Sequence, residues 1–189
     1  MRRSALHDSA AATDRELLII RRLTGYSPSM PEFPDKLGAI AAATAVFGQH
    51  GVPFSLVGGL AVGIRSGVPR ATLDVDFAVA TTVDRSWLIE RMVEKGFSLR
   101  GEFVHSINFE HESGEPVQLA FDPEFDAMIQ RAEVVDLGAF QVPVVTKDDL
   151  IAMKRRAAAD PGRRRSKALR DQADIALLEG DVPDSDEGW

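Results

Sequence analysis

One stretch, FSLVGGLAVGIRSGVPRATLDVDFAV at residues 54–79, constrains the fold of this 189-residue chain more than any other. It starts as an apolar strand-like run, turns at Gly58 and Gly59, and continues as a short helical segment. It then presents Arg70, Thr72, Asp74 and Asp76 where a second apolar run begins. Side chains alternate across a strand with period two, so a strand over residues 73–79 projects Asp74 and Asp76 from one face, close enough to share a cation. Carboxylates that close repel unless something positive lies between them. Mg²⁺ or Mn²⁺ suits hard carboxylate oxygens completed by substrate phosphates. Gly58 and Gly59 lack a Cβ, so backbone can approach phosphate closely there, and amides at the following helix N-terminus can donate to its oxygens.

The segments around this stretch read as a layered α+β protein. Thr13 and Asp14 can cap a helix through about Leu23, and Asp35 one over residues 36–49 that stops at Gly51. Apolar runs predict strands at 54–57, 73–79, 97–99, 104–110 and 117–121, with a break at Arg100 and Gly101. A hairpin is expected from residues 132–137 and 140–145 joined at Gly138. Helices are expected over 60–65, from Thr82 or Asp84 through Lys95, from Asp122 and Pro123 through Arg131, from Thr146 through about Ala159, and over 164–178. This pattern predicts a mixed β-sheet core flanked by helices, with a helical C-terminal part. It divides into an N-terminal helical segment packed on the core (1–50), the core (51–145), the C-terminal helices (146–179) and a tail expected to be disordered (180–189).

Charge is unevenly spread. The net charge of -7 argues against a nucleic-acid binder that uses its whole surface, yet residues 154–170 hold Lys154, Arg155, Arg156, Arg163, Arg164, Arg165, Lys167 and Arg170 against the single acid Asp160. That segment is either a seat for an RNA backbone or a solvated face balancing the acidic tail. Cysteine is absent, which removes disulfides and thiolate metal sites and fits a reducing compartment. No run approaches the roughly 20 apolar residues of a membrane helix, and the N-terminus lacks the apolar stretch of a signal peptide, so a cytoplasmic location with no membrane partner is expected. The four histidines are not at metal-ligand spacing, and Trp87 reads as a packing residue.

A Gly-Gly turn, a helix, and two aspartates one residue apart on the next strand resemble the nucleotidyltransferase superfamily related to DNA polymerase β. Within it, LVGGLAV, VPRATLDVDF, TKDDLIAMKRRA and RDQADIALL, spread over about residues 52–180, look like the AbiEii/AbiGii toxin family, which includes the mycobacterial MenT-type toxins. The resemblance implies a nucleotidyltransferase-like fold and transfer of a nucleoside monophosphate from an NTP to a hydroxyl. The acceptor it implies is the 3′ end of a tRNA, with a separate antitoxin as partner. It makes Asp74 and Asp76 metal ligands and catalytic residues, and Asp174 an active-site acid supported by Asp171. Gly58, Gly59, Arg70, Thr72 and Lys154 become nucleotide-binding residues. Arg70 either contacts phosphate or locks the Asp loop through an ion pair.

The sequence departs from the family downstream. Superfamily members place a third carboxylate on a later strand, as metal ligand and general base, where the segment PVQLAFD (residues 116–122) has Gln118. An amide ligates a metal weakly and takes no proton at neutral pH. Glu110, Glu112 and Asp122 are the acids available to stand in. Two other functions therefore remain open: transfer to a small molecule of the aminoglycoside kind, which the acidic net charge favours, and a nucleotide-binding or interaction protein that has lost turnover.

Overall fold

In the computed structural model, which describes residues 35–181, six helices surround one seven-stranded mixed sheet. The elements are α1 (Lys36–His50), β1 (Phe54–Val57), α2 (Gly58–Ser66), β2 (Val75–Val79), α3 (Arg85–Val93), β3 (Phe97–Phe103), β4 (Ser106–His111), β5 (Pro116–Ala120), α4 (Pro123–Arg131), β6 (Glu133–Asp136), β7 (Gln141–Val144), α5 (Lys147–Ala159) and α6 (Arg165–Glu179). The expected helix at 13–23 and most of the expected tail lie outside the described residues. The strand order is β3-β4-β5-β2-β1-β7-β6, with β2 parallel to β5, β1 parallel to β7, and the other neighbours antiparallel. This is the α+β architecture expected, with β1 and β2, the strands of the 54–79 stretch, near its centre.

The helix starts are the ones that short polar side chains favour. Asp35, Asp84, Asp122 and Thr146 each accept a backbone N–H of the first turn of α1, α3, α4 and α5. The core lies mainly on one side of the sheet, where Phe47 of α1 meets Phe54 at 4.5 Å and Phe77 at 5.4 Å between ring centroids. Trp87 packs edge-on against His50 at 5.1 Å, so it is a packing residue as expected. Across the sheet, α2 packs on β1 and β2 and touches α5 and α6, and the last two lie side by side. Arg65 locks the end of α2 to the sheet, donating to the carbonyls of Val144 (2.7 Å) and Val145 (2.8 Å) and pairing with Glu133.

The helix expected over 60–65 runs over Gly58–Ser66, and two strand boundaries also differ from expectation. The second strand begins at Val75 rather than at residue 73, leaving Asp74 in the bend before it. Pairing with β1 ends where Val57 meets Asp76, and the Thr72 hydroxyl turns to Asp74 Oδ1 at 3.1 Å; such local side-chain bonds compete with a ladder. The expected break at Arg100 and Gly101 is instead a bulge between Leu99 and Gly101, so β3 runs unbroken to Phe103.

Candidate active site

β1 ends at Val57 and α2 begins at once with Gly58 and Gly59, so the two glycines form the first turn of the helix rather than a loop ahead of it. No side chain caps α2, and its leading amides are the kind that bind an anion. Gly58 has φ +70°, and a Cβ on it would stand 2.0 Å from Asp76 Oδ2; a Cβ on Gly59 would stand 2.9 Å from the Thr72 Cβ. The first position needs glycine both for its backbone angle and for space. The helix start is thereby pressed directly against the Asp-bearing strand.

Gly58, Gly59, Arg70, Thr72, Asp74, Asp76, Lys154 and Asp174, all anticipated from sequence, line one cleft of about 670 Å³. Gln118, Arg163, Lys167, Arg170 and Asp171 complete its polar walls. Asp76 lies between Val57 of β1 and Gln118 of β5 in the sheet register. Its carboxyl is pushed up to about 7, first by burial and then by neighbouring Asp74, against the opposing pull of Lys154 and Lys167.

The opposite wall consists of ion pairs. Asp171 and Asp174, three residues apart on α6, are 2% and 1% exposed. Asp174 Oδ1 accepts from Arg70 Nε at 2.7 Å, and its Oδ2 lies 2.8 Å from Lys154 Nζ. Asp171 takes Lys154 at 3.0 Å and Arg163 at 2.5 Å. Both carboxylates are thus engaged by cations from α5, from the segment before β2 and from the α5–α6 connection. The arrangement gives Asp174 the means to hold Arg70 and Lys154 in place, while its oxygens are taken up by those cations. Arg70, expected either to contact phosphate or to lock the Asp loop, pairs with Asp174 of α6 while lining the cleft.

None of the acids considered as replacements for Gln118 reaches the cleft. Glu110 pairs with Arg100 on the neighbouring strand, Glu112 lies against Gly96, and Asp122 caps α4 and meets Arg156. Gln118 itself occupies the expected place, in register with Asp76. Among the described residues no group of three or more histidines, cysteines or acids is placed to hold a metal ion. The fit to Mg²⁺ or Mn²⁺ is consequently one in which Asp74 and Asp76 supply the protein oxygens and substrate phosphates and water complete the shell, a usual arrangement for Mg²⁺. Arg163, Lys167, Arg170 and Asp171 were legible only as a basic run and a helix partner; their convergence on the cleft depends on how α6 folds back.

Residues 40–187 match the family described as the nucleotidyl transferase AbiEii toxin of type IV toxin–antitoxin systems. The chain belongs to the AbiEii nucleotidyltransferase family. Among solved structures, this AbiEii-family protein resembles the aminoglycoside enzyme ANT(2″)-Ia, solved with adenylyl-2″-tobramycin, at 18% identity and a TM-score of 0.55, over 77% of this chain and 90% of that one. The lincosamide antibiotic adenylyltransferase LnuA, solved with lincomycin, aligns at 15% identity and a TM-score of 0.56, over 80% and 100% of the two chains. A nucleotidyltransferase-like protein of Thermotoga maritima aligns at 14% and 0.55, over 77% and 96%. These likenesses establish the nucleotidyltransferase fold. No curated protein matches the AbiEii-family chain by sequence.

Proposed function

We propose that this AbiEii-family protein is a metal-dependent nucleotidyltransferase that moves a nucleoside monophosphate from an NTP to a hydroxyl, with the 3′ end of a tRNA as acceptor and a separate antitoxin as partner. The acceptor hydroxyl releases its proton to solvent as its oxygen bonds to the α-phosphorus, the bond from that phosphorus to the pyrophosphate oxygen breaks, and pyrophosphate leaves. The observation that carries this reading is the meeting, in one cleft, of the uncapped α2 N-terminus, the Asp74–Asp76 pair and a basic wall.

Asp74 and Asp76 would hold Mg²⁺ or Mn²⁺, which when bound neutralises charge on the phosphates and lowers the pKa of the attacking hydroxyl. The rest of the chain positions and stabilises, as in phosphoryl transfer generally. The α2 amides and the glycine surface receive phosphate oxygens, Thr72 steadies Asp74, and Asp174 with Asp171 presents Lys154 and Arg70 to the cleft. Gln118 keeps a polar contact beside Asp76 but accepts no proton at neutral pH.

Charge supports a polyanionic acceptor over a polycationic one. The acids of the α6 wall are paired, whereas Lys167 and Arg170 line the cleft and join no ion pair among the described residues. The test incubates each labelled NTP, with Mg²⁺ or Mn²⁺, with tRNA, tobramycin or lincomycin. Label is expected on tRNA; label on an antibiotic alone moves the acceptor to the small-molecule class, and no label on any of them refutes the enzyme. Asp74→Ala and Asp76→Ala are each expected to reduce transfer below detection while circular dichroism stays native, and full transfer by either variant contradicts the metal assignment.

A further inference from the structure

The sheet face that carries Asp76 continues beyond the cleft to the edge of the sheet. Register pairs Asp76 with Gln118, Gln118 with Asn108, and Asn108 with Gly101. Residues directly opposite across a ladder share a face, so these four form one row, each step close to 4.8 Å. The row's side chains on β4 and β5 are half-buried, whereas Ile107, Phe109, Val117 and Leu119 on the reverse face are buried.

Phe103 stands at the end of this row and is 57% exposed. A Cβ on Gly101 would lie 2.9 Å from its Cε2 and 3.1 Å from its Cζ, so the ring rests over the glycine on the row's own face. The turn that bears it is clamped from α3: Arg85 donates to the carbonyls of Phe103 (2.6 Å), Val104 (2.9 Å) and Ser106 (3.0 Å). An exposed ring on a fixed turn is a ready stacking surface, because little ordering remains to be done when a flat partner lands on it. Between ring and Asp76 lie two uncharged amides, and the Asn108 Oδ1 is buried without a hydrogen-bond partner. Glu110, farther along β4, is neutralised by Arg100.

We infer that this row is the acceptor subsite and that it takes an unpaired nucleoside at the 3′ end of an RNA strand. The base stacks on Phe103, the amides of Asn108 and Gln118 bond the nucleoside between them, and the ribose hydroxyl is directed towards Asp76. The strand's phosphates run to the side of the cleft where Lys167 and Arg170 stand. The role as acceptor rests on the transferase reading above; the binding of RNA at Phe103 does not.

Anisotropy of a 5′-fluorescein single-stranded RNA hexamer with a free 3′ hydroxyl, at low salt, tests the binding in the full chain. Phe103→Ala is expected to weaken it roughly 5- to 100-fold, the loss of one stacked base, while Phe103→Trp retains it and Asn108→Ala weakens it less. Circular dichroism of the three variants should match the wild type. Unchanged affinity in Phe103→Ala, no binding by the wild type, equal competition by a blunt duplex, or binding of tobramycin or lincomycin in place of the hexamer each overturns the subsite. Phe103-dependent binding with no label transfer from any NTP overturns the transferase reading and the acceptor role that rests on it, and leaves the binding of RNA at Phe103 standing.

Discussion

Gly58 sits where a left-handed backbone angle, the start of α2 and the Asp76 carboxylate meet. Its φ of +70° disfavours a side chain, and a Cβ there would press on Asp76 Oδ2. Gly58→Ala is expected to lower stability by about 1–3 kcal/mol in urea unfolding and to reduce transfer further than that loss explains, because Asp76 must turn aside. An unchanged urea midpoint would mean that Asp76 yields without cost. At this scale the 54–79 stretch was legible because its chemistry is local: adjacent glycines mark the turn and two acids stand close in sequence, although Asp74 lies in the bend before β2, outside the strand alternation expected to place it. Gln118 was legible as a missing acid, and the structure sets it in register with Asp76. The engagement of Asp174 with Arg70, across 104 positions of sequence, leaves no local trace.

Among the elements, α1 carries an anomaly. Its first residue is Lys36, a cation at the end of a helix that prefers anions, and the side chain is fully buried, donating to Glu115 beside the β4–β5 turn. Lys36→Met removes the buried cation that faces the Glu115 carboxylate and is expected to cost about 3–5 kcal/mol, whereas Lys36→Met with Glu115→Leu, which removes both charges, should cost less than the single change. Chemical denaturation of the single and double variants checks this; equal losses in both would show that the pair is not the stabilising unit. Most elements were legible because caps and stops are written locally, at Asp84, Asp122, Gly138 and Thr146. The β3 bulge was not: Arg100 and Gly101 look like a turn, and only pairing with β4 carries the strand through them.

At the scale of the whole molecule, α6 closes the cleft, and what draws it in is charge more than apolar area, since its buried residues are Asp171, Asp174 and Leu178. Asp171→Ala leaves Arg163 without its carboxylate and Lys154 with one fewer, so faster amide exchange in α6 than in the sheet is expected; uniform protection would refute that. The same clustering of charge makes stability depend on pH. The Asp76 carboxyl titrates near 7 in the fold against an ordinary 3.8, so the folded state holds a proton that the unfolded chain releases between those values. The associated stability is fully present below pH 3.8 and is lost as pH rises through 7, up to about 4 kcal/mol by linkage. Metal-free protein should therefore melt at a lower temperature at pH 8 than at pH 6. Asp76→Asn, which cannot ionise, should flatten that dependence and melt higher than the wild type at pH 8. On the proposed metal assignment Mg²⁺ competes with the proton for the same carboxylate, so its stabilising effect should grow from pH 6 to pH 8 in the wild type and vanish in Asp76→Asn. Thermal melts in EDTA and in Mg²⁺ across that range decide the matter, and a wild-type profile in EDTA parallel to that of Asp76→Asn would show that Asp76 is ionised throughout.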